Sequence, residues 1–104
     1  MAEIHNNALL LFQVGPILCC APTLQVAAII EPRPLTHLPG TSPGQPGIFK
    51  HAGQIVTARD LRFHFGVPQQ HWKIPGRVII ATLAQGSSGF LVDEITAVMA
   101  MPDT

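Results

Sequence analysis

Ten prolines and nine glycines are spread through 104 residues, and they cut the chain into apolar runs too short for anything but strands or single helical turns. Gly15-Pro16 separates Leu9 to Val14 from Ile17 to Ala21 and predicts a hairpin. Thr23 to Ile30 is apolar at Leu24 and from Val26 onward, and its periodicity fits either a helical turn or a strand. Residues 31–47 carry five prolines, at 32, 34, 39, 43 and 46, with Gly40 and Gly44 among them. They predict an extended loop crossing the surface, pinned by Leu35 and Leu38.

Beyond the loop, Gln54 to Ala58 predicts a strand, and Asp60 caps a helical turn that runs to Phe65 and is closed by Gly66-Val67-Pro68. Val78 to Ala84 is apolar on both faces, as in a buried strand. Gly86-Ser87-Ser88-Gly89 then reads as a hairpin turn, with Phe90 to Asp93 as the returning strand and Ile95 to Met101 as a last apolar run. About six short strands with little helical period predict a mainly β domain, barrel-like or sandwich.

Composition narrows the function. Nearly half the residues are apolar (47%), which supports a packed core, and six basic residues balance six acidic ones. A neutral chain lacks the field that nucleic acid or an anionic membrane would select. No apolar run approaches the ~18 residues that span a bilayer, so a cytoplasmic protein without membrane insertion is expected. Adjacent Cys19 and Cys20 would need a strained ring to bridge, and they are expected as reduced core thiols.

Catalytic patterns are missing. The five histidines, at 5, 37, 51, 64 and 71, lack metal-ligand spacing, and no lysine follows the Gly86 to Gly89 segment as a phosphate loop requires. Asp60, Asp93 and Glu94 have structural roles at a cap and a strand bend. Trp72, with Arg62, Lys73 and Arg77 nearby, offers a base-stacking platform, but its simpler role is a loop anchor. The chain is therefore expected to be no enzyme, to need no cofactor or metal, and to bind other proteins. A nucleic-acid-binding small β barrel is the competing class.

Four segments in order resemble the CheW-like family of bacterial chemotaxis. The opening Leu10-Leu11-Phe12-Gln13-Val14-Gly15, with Cys20-Ala21-Pro22 and Val26 to Ile30, is similar to the family's first strands, and Leu35 to Gly40 to its proline-rich crossing segment. Gly47, Gly53, Ile55, Val56, Asp60, Leu61 and Arg62 match the segment that ends in Asp-Leu-Arg. Val78-Ile79-Ile80 and Gly89-Phe90-Leu91-Val92-Asp93-Glu94-Ile95 resemble the most specific hairpin. Ala52 stands where the family carries an arginine, and Thr57 where it carries a proline.

The resemblance implies two small SH3-like barrels sharing a core, and a non-catalytic adaptor that couples a methyl-accepting chemoreceptor signalling domain to a CheA-type histidine kinase. By this resemblance Val26, Ile29 and Ile30 line the receptor-binding groove, with Gly47 beside it. Receptor binding is favoured over direct kinase binding. Residues 1–104 are expected to form one truncated domain, whose first barrel lacks the usual C-terminal strands and exposes an edge suited to homo-oligomerisation. That shortness is similar to the FrzB-type branch of the family in the myxobacterial Frz motility system.

Overall fold

The computed structural model describes residues 8–84 and 86–100. Eight strands are present among them: β1 (Ala8–Val14), β2 (Ile17–Pro22), β3 (Val26–Ile30), β4 (Gly47–His51), β5 (Gln54–Asp60), β6 (Arg77–Leu83), β7 (Gly86–Val92) and β8 (Glu94–Ala100). One short helix, α1 (Leu61–His64), follows β5. A three-stranded sheet has the order β2-β1-β8 and a five-stranded sheet the order β3-β6-β7-β5-β4. The mainly β expectation holds. β4 escaped the sequence reading because only Ile48 and Phe49 in it are apolar.

The segment Thr23 to Ile30 satisfies both of its readings in turn: a 3-10 turn over Thr23–Gln25 runs into β3. After β3 the chain stays irregular until Thr36, whose N–H donates to the Ile48 carbonyl (2.8 Å) while the Ile48 N–H donates back (3.0 Å). This single bridge joins the two edges of the five-stranded sheet, so that residues 31–36 close it into a small barrel. Leu35 packs on the barrel core, whereas Leu38 is 39% exposed and belongs to neither core cluster.

Two cores share one wall. Phe49, Val56, Ala58, Val78, Ile80 and Leu91 fill the barrel, and Leu10, Phe12, Val14, Ile79 and Val92 pack between the two sheets. Alternation along β6 sends Val78 and Ile80 to the first core and Ile79 to the second. A strand that serves two cores must be apolar on both faces, which is the pattern its sequence shows.

Gly86 to Gly89 is not a turn but the first half of β7, a correction to the sequence reading. β6 ends at Leu83 and β7 begins at its register partner Gly86, which adopts φ 126°. Small residues are needed here for packing. A Cβ on Gly89 would lie 2.9 Å from the ring of Phe49 and 3.1 Å from Val56. Ser88 is buried and its hydroxyl accepts from Arg59 Nε at 3.1 Å. The glycine thus lets an aromatic ring cross the strand.

The expected core thiols are also only half right: Cys19 packs against the inter-sheet core, and Cys20, pointing the other way along β2, is exposed.

Replacing Gly89 by Val should overpack the barrel and cost about 1–3 kcal/mol, because Phe49 and Val56, which the new side chain would meet, are themselves buried in the core. Urea unfolding checks this; an unchanged midpoint would mean that the ring is not held against β7.

Candidate functional site

β3 runs along β6 with Val26 opposite Ala81 and Ile29 opposite Ile79, and a bulge between Val26 and Ala28 resets the alternation. Opposed residues share a sheet face. The bulge therefore brings Val26 and Ile29 to the side of Ile79, facing the three-stranded sheet, and turns Ala28 and Ile30 into the barrel. Here a cleft of about 230 Å³ opens between the sheets, lined by Phe12, Val26, Leu61, Ile79 and Phe90 with Gln25 at its polar rim.

No charged side chain among the described residues lines this cleft. It falls below the ~300 Å³ at which cofactor-sized pockets begin, so it suits one or two apolar side chains rather than a small molecule. Ile29, 41% exposed, stands on the same face of β3 and extends its apolar surface.

The other two candidate residues lie elsewhere. Ile30 packs on the barrel core with Ala28 and Leu35. Gly47 opens β4, at the sheet edge opposite β3, and is buried. A Cβ there would fall 2.5 Å from the carbonyl oxygen of Thr36, so Gly47 is what lets the closing segment bridge to β4. The structure thus puts Val26 and Ile29 on one face of β3, turns the partly buried Ile30 to the barrel core and buries Gly47. Leu61, Phe90 and Phe12 were missed as lining residues, since their strand and helix periods mark them only as core.

A polar cluster is built on the residues either side of the cleft residue Leu61. The Asp60 side chain caps α1 by accepting the Arg62 N–H at 3.0 Å, and it also accepts from Arg62 Nε (3.0 Å) and Nη2 (2.9 Å). Both side chains are almost fully buried. Arg62 Nη1 donates to the Lys73 carbonyl and lies 3.6 Å from Asp93 Oδ1. The guanidinium sits 4.8 Å from the Trp72 ring, whose indole N–H donates to the Val67 carbonyl at 2.8 Å. Trp72 is therefore the loop anchor expected of it, and Arg62 is unavailable to nucleic acid.

No group of three or more His, Cys, Asp or Glu side chains converges on a metal-sized site among the described residues. Of the two thiols, Cys19 is pushed up from its ordinary value by burial and by the neighbouring Cys20.

Arg62→Met would leave Asp60 and Asp93 without their buried partner and should cost about 3–5 kcal/mol in urea unfolding. Arg62→Lys should restore little of it, because an ammonium cannot reproduce the two-oxygen contact to Asp60. At pH 8, below the raised Cys19 value, less thiolate forms there, so iodoacetamide should label exposed Cys20 before Cys19, as mass spectrometry would read.

No curated protein matches the chain in sequence comparison. Among solved structures, the fold is similar to that of the scaffolding protein TtCheW from Thermoanaerobacter tengcongensis, with a TM-score of 0.84 at 21% identity over 94% of this chain and 67% of that one. The model of the CheW-like domain matches residues 8–104. With that match spanning nearly its whole length, the chain belongs to the CheW-like domain family, whose members are adaptors of chemotaxis signalling and not enzymes.

Proposed function

We propose that this protein couples a methyl-accepting chemoreceptor signalling domain to a CheA-type histidine kinase pathway, with the receptor docking on the β3 side of the inter-sheet cleft. The observation that carries this reading is the uncharged apolar cleft beside Val26 and Ile29, exposed on a protein whose formal charge is zero. An amphipathic helix seats side chains spaced one turn apart into such a surface. Ile30 and Gly47 serve from beneath: Ile30 holds β3 on the barrel, and Gly47 holds the segment that continues from β3.

Burial of the β3 face contributes ~25 cal/mol per Å² before association costs are subtracted, which leaves a weak contact that multivalent arrays strengthen. Receptor binding is the primary interaction in this reading, and kinase binding is secondary. The outer edge of β8, with Val98 64% and Met99 50% exposed, offers a strand for self-association with a second copy. The protein acts in the cytoplasm, where receptor signalling domains lie. No described helix is long and apolar enough to cross a membrane. The narrower FrzB-type reading would make the receptor one of a motility system.

Titration calorimetry against a receptor signalling domain, and separately against the kinase regulatory domain, tests the proposal. Receptor binding should be lost or weakened at least about tenfold, roughly 1.4 kcal/mol, by Ile29→Asp, with the circular dichroism spectrum unchanged. Binding to neither domain would overturn the coupling function. Binding that Ile29→Asp leaves intact would remove β3 as the docking face.

A further inference from the structure

A second cleft, of about 490 Å³, opens where the β1–β2 turn meets the segment after α1. Ile17, Phe65 and Val67 give it an apolar wall, and His71, Lys73 and Asp93 its polar groups. It shares no lining residue with the cleft beside β3. Phe65 and Ile17 are 46% and 37% exposed, and Ile74, next to Lys73, is 88% exposed. Apolar side chains left this open around one recess have the form of an interface centre ringed by polar groups.

The three polar groups differ in what they leave for a partner. Asp93 is engaged by its own chain: Oδ2 accepts the Gly15 N–H at 3.2 Å, and Oδ1 is buried facing Arg62. Lys73 holds the cluster only through its backbone carbonyl, and its ammonium pairs with no carboxylate among the described residues. His71 is exposed beside it. The groups left for a partner are therefore the Lys73 ammonium, a cationic donor, and the His71 ring, which when neutral donates from one nitrogen and accepts at the other, beside the exposed Phe65 ring. Their complement is a carboxylate next to an apolar side chain.

We propose that this cleft is a second docking surface, which takes an acidic, apolar segment of a partner protein, with an apolar side chain against Phe65 and Val67 and a carboxylate on Lys73. Because its lining is separate from that of the β3 cleft, both surfaces can be occupied at once. An adaptor needs two such surfaces, and this one stands whether or not a receptor binds at β3.

Trp72 is the only tryptophan of the chain, and its indole N–H bonds to the carbonyl of cleft residue Val67, so its resonance reports occupancy through that hydrogen bond. The probe is the blocked peptide Glu-Leu-Phe-Glu-Glu-Leu, titrated into the full chain while the Trp72 indole N–H resonance is followed. Its control replaces each glutamate by glutamine. The acidic peptide should shift the resonance, and Lys73→Glu and Lys73→Gln should each weaken its binding about tenfold or more, corresponding to roughly 1.4 kcal/mol. Ile29→Asp should leave it unchanged. No shift at millimolar peptide, equal binding of the glutamine control, indifference to both Lys73 variants, or loss of binding in Ile29→Asp would each overturn the proposal.

Discussion

The buried pairing of Asp60 with Arg62 is the interaction on which the arrangement of the other parts rests. Two residues apart at the junction of β5 and α1, they meet because Asp60 ends the strand as the helix cap and Arg62 lies one step inside the first turn. Burying two ions is costly, and here the guanidinium offsets it by bonding to Asp60 and the Lys73 carbonyl, with the Asp93 carboxylate at 3.6 Å and the Trp72 ring beside it. A hydrophobic pair of similar volume fills such a space as well. It would not tie β5, the loop that carries Trp72 and the bend at Asp93 into one register.

That register sets both candidate surfaces. Asp93 links the two sheets: its N–H donates to the Gln13 carbonyl at 2.9 Å, and its side chain accepts from Gly15. The three-stranded sheet is thus held at a fixed distance from the barrel, and the cleft beside β3 is the gap that remains where Phe12, Leu61 and Phe90 do not quite meet. On the other side the same bend, with the β1–β2 turn, forms one wall of the cleft that contains Lys73. An adaptor works by presenting surfaces, so geometry of this kind takes the place that reactive groups hold in an enzyme.

Much of the fold was legible in the residue order. Gly15-Pro16 marks its hairpin because proline and glycine preset the turn, and Asp60 marks its cap because a carboxylate there meets free N–H groups. The run from Val78 to Ala84 reads as apolar on both faces, and the structure buries its first four residues, Val78 to Ala81, while Thr82, Leu83 and Ala84 are exposed. Gly86 to Gly89 misled because small polar residues signal turns and close packing alike; only the position of Phe49 distinguishes the two. Leu38 misled because an apolar residue in a proline-rich loop says nothing about whether the barrel lies within reach.

By itself the sequence determined the mainly β class, the balance of formal charge, and the family, since these depend on composition and on short-range pattern. Only the tertiary structure decided which apolar residues face a partner. Strand alternation puts the chemically identical neighbours Ile29 and Ile30 on opposite faces, and the bulge between Val26 and Ala28 decides that it is Ile29 that faces outward. It likewise made Gly47 a requirement of barrel closure and buried Arg62, because both outcomes depend on contacts with residues far along the chain.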